Sequence, residues 1–221
     1  MSLIIEKYKY EKLKRVEVNG KRRYAAPGHP PVASVTTILS GTKDMSHLIA
    51  WKKRVGEKKA QEIVTEAANV GTIMHNMLES WSLNEEYTGT NMLQAKMMAD
   101  TVIKHIEPDI QEVWGSEVNL CYPGLYAGTT DLVGIYKGNH CIMDFKQTNK
   151  PKKREWIDDY FMQAAAYAMA HNEVFETEIK HAAIFMCSRD CDWQLWEVGP
   201  DEFEHWTEKW ARRVEEFYNL S

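Results

Sequence analysis

Apolar positions along this chain recur with two periods, and the switches between them mark out the elements. From Lys14 to Tyr24, polar and apolar residues alternate around Asn19-Gly20, a dipeptide that closes two-residue turns, which predicts a β-hairpin. Short helices are expected from Thr36 and from about Asp44, whose carboxylate can cap. A helical period then runs from Glu57 to Trp81, with a break expected at Gly71 and Thr72 as the following cap. Another helix is expected over Met92–Trp114, kinked or ended by Pro108. Three strand-like runs follow, opening at Glu117, Gly128 and Cys141. A helix around Gln163 comes next, then strands near Ile179–Cys187 and Trp193–Val198 joined by the loop Ser188–Asp192. A helix from about Asp201 to Tyr218 closes the pattern.

The second and third strand-like runs break the apolar pattern in one respect. Asp131 precedes Leu-Val-Gly-Ile-Tyr, and Asp144 and Lys146 end Cys-Ile-Met-Asp-Phe-Lys. Charged groups among apolar neighbours cost several kcal/mol unless they pair or hold a metal. Side chains two apart on a strand share a face, so Asp144 and Lys146 project together. A turn at Gly138-Asn139 places Asp131 across from Lys146, and a turn at Lys137-Gly138 places it across from Asp144. Either register gathers two carboxylates and one ammonium. Such a pair of acids is a hard-oxygen site of the kind Mg²⁺ or Mn²⁺ prefers. A lysine beside it can hold a water nucleophile or stabilise charge in a transition state. The plain alternative is a buried Asp–Lys ion pair in an ordinary hairpin.

The order Gly-Thr-x-Asp, hairpin, Asp-x-Lys resembles the signature of the PD-(D/E)XK nuclease superfamily, with Thr130-Asp131 where the signature has Pro-Asp. Downstream, Gln163-Ala-Ala-Ala-Tyr167 resembles the Gln-x-x-x-Tyr motif of its RecB-like branch. Upstream, Gly71-Thr-Ile-Met-His75 is similar to that branch's histidine-bearing helix. Ser34 to Leu39, with Leu48 and Trp51, is similar to the N-terminal part of exonucleases of phages and of mitochondrial genome maintenance. The resemblance covers about residues 34 to 190. It implies an α/β fold with a mixed central sheet flanked by helices, a single nuclease domain over residues 1–221 with residues 1–33 as an N-terminal β-hairpin extension.

The same resemblance implies roles for named residues. His75, Asp131 and Asp144 would hold one or two divalent ions, Mg²⁺ or Mn²⁺, with the backbone carbonyl of Phe145 as a further ligand. Lys146 would position water or stabilise the transition state, Gln163 would brace Lys146, and Tyr167 would touch the nucleic acid. A lone helical histidine is as a rule a core residue, and here the matched context favours the ligand. Glu79, one helical turn beyond His75, is a candidate to orient the imidazole. Glu117 is a candidate further acid at the metal. The activity implied is metal-dependent hydrolysis of DNA, by an exonuclease acting on single strands or ends. A structure-specific endonuclease and a non-catalytic DNA-binding module are the alternatives.

Composition changes this picture little. The formal net charge is −5, but local potential steers a phosphate backbone. Lys150, Lys152, Lys153 and Arg154 directly follow the Lys146 strand and are the candidate phosphate contacts. Lys52, Lys53, Arg54, Lys58 and Lys59 form a second basic cluster, and Lys21, Arg22 and Arg23 a third. Tyr24, Trp51, Tyr126 and Trp156 are candidate base-stacking residues, with core packing the default for tryptophan and only Tyr167 supported by a motif. Cys121 and Cys141 are expected as buried thiols. Cys187 and Cys191 are the only close pair, a spacing that departs from the branch's iron–sulphur pattern and matches no common zinc arrangement. No apolar run approaches the roughly 20 residues that span a bilayer. No signal-peptide pattern opens the sequence, so an intracellular, non-secreted location is expected. Nothing in the residues fixes an oligomeric state.

Overall fold

A computed structural model describes residues 3–18, 20–25 and 28–220; Asn19 of the expected hairpin turn and the side chains of Lys21 and Arg22 lie outside the described residues. In chain order the elements are strands β1 (Leu3–Ile4), β2 (Lys14–Val18), β3 (Lys21–Ala25) and β4 (Val32–Ser34), then helices α1 (Val35–Gly41), α2 (Ser46–Val55), α3 (Glu57–Ser82) and α4 (Leu93–Ile106). Strands β5 (Ile110–Tyr122), β6 (Tyr126–Tyr136) and β7 (Asn139–Thr148) follow. After a 3-10 turn at Arg154–Trp156 come α5 (Asp158–Phe175), β8 (His181–Ser188), β9 (Trp193–Val198) and α6 (Pro200–Asn219). The protein is α/β, a mixed central sheet with helices on both faces.

The sheet runs β2-β3-β4-β6-β7-β8-β9, with β5 and then β1 on the other side of β6. The β2–β3 hairpin is thus joined to the central sheet through β4. One core packs α1, α5 and α6 on one face through Ile38, Phe161, Trp206 and Trp210. The other packs α3 and α4 through Met74, Leu78, Met98 and Val102. On α5 the buried alanines Ala164, Ala165, Ala166 and Ala168 bring the helix close to the strands.

Two element expectations are corrected. α3 passes through Gly71 without a break, so Thr72 caps nothing. A helical glycine costs about 1 kcal/mol relative to alanine, and burial of Val70, Met74 and Leu78 on one side of the helix offsets that cost. The expected helix over Met92–Trp114 is half right. α4 stops at Ile106, two residues before Pro108, and Ile110–Trp114 already belong to β5. Pro108 has no N–H with which to continue the helical hydrogen bonds, and the following Ile110, Val113 and Trp114 are buried in the sheet instead.

Two features of the sheet create the site. The β6–β7 turn is Lys137-Gly138, closed by the Tyr136–Asn139 pair. Both turn residues have positive φ, 48° and 79°, which suits the twist of the flanking strands. That register carries Asp131 towards Asp144. The ladder ends one pair short of them, at Leu132–Met143. β4 takes up the same side of β6 at Tyr126 and Ala127. Between Gly128 and Asp131, β6 therefore has no ladder partner on that side, while β7 continues beyond Met143 along β8. The sheet opens here, and the charged residues line the opening.

Candidate functional site

Asp131 occupies the opening as a substitute for a strand. Its Oδ2 accepts the Phe145 backbone N–H at 2.6 Å, the bond a continuing ladder would have made to main chain. Its Oδ1 stands 3.4 Å from His75 Nδ1 on α3. The His75 ring also meets Phe145 edge-on, with centroids 6.1 Å apart, which fixes the imidazole plane. Burial alone would raise the Asp131 carboxyl, but His75, Lys146 and the Phe145 N–H together hold it below the usual carboxylate range. Burial pulls the His75 imidazole down, and Asp131 and Asp144 outweigh it, so the net direction is upward.

Glu117 enters from β5. The flanking pairs Ser116–Leu132 and Val118–Thr130 set it across from Asp131. Its φ is 49°, a left-handed conformation that non-glycine residues seldom adopt. One ligand-type atom each from His75, Glu117 and Asp131 lie within 4.8 Å of one another. Glu117 keeps much of its surface exposed, yet crowding by protein atoms and then the Asp131 and Glu79 carboxylates push its carboxyl up to about 7, against the pull of His75. Carboxylates crowded with an imidazole in this way favour a divalent cation between them, and oxygen with one nitrogen suits Mn²⁺ or Mg²⁺.

Asp144 is not part of that triad. It is 4% exposed, and its Oδ2 forms a short, charge-assisted pair with the Lys146 ammonium. Burial drives the Asp144 carboxyl upward; Lys146 opposes this and Asp131 adds to it. Burial drives the Lys146 amine down, but Asp144 and Asp131 prevail and hold it as an ammonium. The Lys146 Nζ lies 5.0 Å from the centroid of the Tyr160 ring on α5. Tyr160, a residue the sequence reading did not single out, therefore borders the ammonium. It lies one turn before Gln163, but an unremarkable tyrosine at that spacing gives no signal by itself.

The Gln163–Tyr167 pair takes a different part from the one expected. Gln163 Nε2 donates to the Tyr167 hydroxyl at 3.2 Å, and no hydrogen bond joins Gln163 to Lys146 among the described residues. Tyr167 is 2% exposed, so it has no surface to offer a nucleic-acid strand. Its ring lies against Gly128, where an added Cβ would sit 2.7 Å from Tyr167 Cε1. The pair buttresses the open stretch of β6 from below. Glu79 lies near enough to act on Glu117 by charge, but its carboxylate makes no hydrogen bond to His75 among the described residues.

The basic run after β7 lies on a pinned loop. Thr148 Oγ1 donates to the Lys150 carbonyl at 2.7 Å. The Gln194 side chain on β9 accepts from Lys152 N and donates to Lys152 O, both at 2.7 Å, copying a strand partner. Lys153 is exposed. Arg154 pairs with Glu202 at 2.5 Å and lies over Phe161, so its charge serves the fold. All four cysteines are free thiols.

No family model matches the chain. It is similar to the mitochondrial genome maintenance exonuclease 1 of Xenopus tropicalis, at 27% identity over 98% of this chain and 65% of the relative. The human protein of that name is also 27% identical, over 84% of this chain and 58% of the relative. The chain thus spans about three-fifths of the length of the curated relatives it matches. Among solved structures, SSO0001 overlays with a TM-score of 0.45 at 16% identity, over 86% of this chain and 76% of that one.

Proposed function

We propose that this chain is a divalent-metal-dependent deoxyribonuclease of the RecB-like PD-(D/E)XK type, acting as an exonuclease on DNA ends or single strands. The observation that carries the reading is the convergence of His75, Glu117 and Asp131 within 4.8 Å, beside the Asp144–Lys146 pair, in an opening of the sheet. The similarity to proteins named exonucleases supports it. His75, Glu117 and Asp131 would hold the ion, Mg²⁺ or Mn²⁺, with Asp144 and the Phe145 carbonyl alongside. Such an ion neutralises charge on a phosphate and activates water. Lys146, kept as an ammonium by two acids, supplies positive charge where the phosphate gains negative charge. Tyr160 confines it, and Asp144 fixes its direction. Lys150, Lys152 and Lys153 contact the phosphate backbone.

End-labelled linear DNA and closed circular DNA, each incubated with Mg²⁺ or Mn²⁺, test this directly. Label lost from linear DNA alone supports the exonuclease; nicked circles point to an endonuclease, and binding without products to a non-catalytic module. Asp144→Ala and Lys146→Ala are each expected to reduce cleavage at least about a hundredfold while DNA binding persists. Cleavage unchanged in both variants would remove the assignment.

A further inference from the structure

Trp156 stands apart from the other tryptophans of this chain. It is 60% exposed, whereas every other one of the eight is buried or half-buried. Tryptophan carries the largest apolar surface of any side chain and is highly buried on average, so one this exposed calls for a cause. Local disorder of the backbone is not the cause. The Trp156 N–H is bonded to the Lys153 carbonyl at 3.0 Å, and the next residue, Ile157, is 2% exposed in the core. Two residues earlier, Arg154 is tied to Glu202 and Phe161, and Gln194 grips Lys152 from both sides. The indole is thus held outward by a braced segment.

Its surroundings indicate what it would meet. Lys153 Nζ lies 5.4 Å from the indole centroid, and Lys150 and Lys152 precede it on the same loop. One turn further on, Tyr160 borders Lys146. A flat aromatic face beside the Lys153 ammonium, on the segment leading from the Lys146 strand to α5, matches a ligand that alternates flat rings with negative charges. We propose that Trp156 and Lys153 form a stacking platform for one unpaired nucleobase and its adjoining phosphate, next to the cleavage site. This rests on the nuclease reading above and adds a binding position to it. Stacking of a base on an aromatic face is tolerant of sequence and demands an unpaired base, so the platform favours single-stranded over duplex DNA.

The test measures binding of a fluorescein-labelled single-stranded oligothymidine by anisotropy in EDTA, where metal-dependent cleavage is suppressed, alongside the same strand built from abasic units. Trp156→Ala is expected to weaken binding of the oligothymidine about tenfold and leave the abasic strand unaffected. Trp156→Phe should restore most of the loss, and Lys153→Ala should weaken both strands alike. Equal affinity of wild type and Trp156→Ala for the oligothymidine overturns the platform and leaves the nuclease reading standing. Equal losses on both strands overturn it as well, since a base would then play no part. A wild-type protein that neither binds nor cuts DNA overturns the nuclease reading, and the platform with it.

Discussion

Glu117 illustrates what residue type and position can and cannot reveal. The sequence offers it as one acid opening a strand, equally at home on an exposed edge. Its place beside Asp131 goes with a backbone φ of 49° where β5 pairs with β6, and no pattern of apolar residues encodes that angle. Positive φ at a non-glycine residue costs about 1–3 kcal/mol and tends to persist where function over-determines it. Asp131, Asp144 and Lys146 stand out in the sequence because charge inside an apolar run is visible in one dimension, whereas His75 stands out only through the resemblance of Gly71–His75 to a histidine-bearing helix. The aromatic residues are harder to read, since burial is a property of the packed chain: Tyr167, the one aromatic with motif support, is enclosed, and Trp156, one stacking candidate among several, is exposed. Glu117→Gln keeps the shape and removes the charge. It is expected to weaken Mn²⁺ binding at least about tenfold by isothermal titration calorimetry. Unchanged Mn²⁺ affinity would return Glu117 to the role of an edge residue.

At the scale of elements, the strands around the site followed from pattern and turn chemistry. Lys137-Gly138 rather than Gly138-Asn139 forms the turn, a distinction of one residue that both dipeptides permit locally and that the pairing of whole strands decides. α3 runs unbroken for a related reason: the break expected at Gly71 rests on local preference, and burial of Val70, Met74 and Leu78 carries the helix through, whereas at Pro108 local preference does end α4 and only Ile110–Trp114 pass to β5. The contact between α5 and the opened stretch of β6 explains why the Gly-Thr-Thr-Asp segment begins with glycine. In Gly128→Ala the new methyl would meet Tyr167 Cε1 at 2.7 Å and its hydroxyl at 2.9 Å, both on a fully packed ring. Overpacking of this kind costs about 1–3 kcal/mol. The urea midpoint should fall accordingly, and Tyr167→Ala in the same chain should cost less in the Gly128→Ala background than in wild type. Strict additivity of the two changes would show that they do not meet.

Over the whole molecule, one buried histidine ties distant parts of the chain together and makes their union depend on pH. His171 on α5 is fully buried. The Tyr10 hydroxyl stands 3.0 Å from its Nε2, and Thr177 Oγ1 stands 2.8 Å from its Nδ1. The Thr177 hydroxyl donates to Asn172 Oδ1, so it accepts from Nδ1–H; that leaves Nε2 to accept from Tyr10, and the neutral imidazole satisfies every partner. Tyr8, Tyr10 and Phe175 enclose the ring. Burial first, then the charges of His140 and Lys7, lower its pKa from 6.5 to about 4. The sign follows from proton counting. Between pH 6.5 and about 4 the unfolded chain binds a proton at this position that the folded chain excludes. Its contribution is therefore complete above pH 6.5, is lost as pH falls through that window, and levels off below about 4. One excluded proton gives a slope of at most ~1.4 kcal/mol per pH unit. Urea unfolding measured across this range should show wild type losing stability faster than His171→Gln, although the variant starts lower at pH 7.5 for want of the imidazole's contacts. Parallel curves would mean that the histidine takes up its proton as readily in the folded protein as in the unfolded chain, and that the Tyr10–His171–Thr177 chain does not hold the N-terminal segment against α5 in the way these distances require.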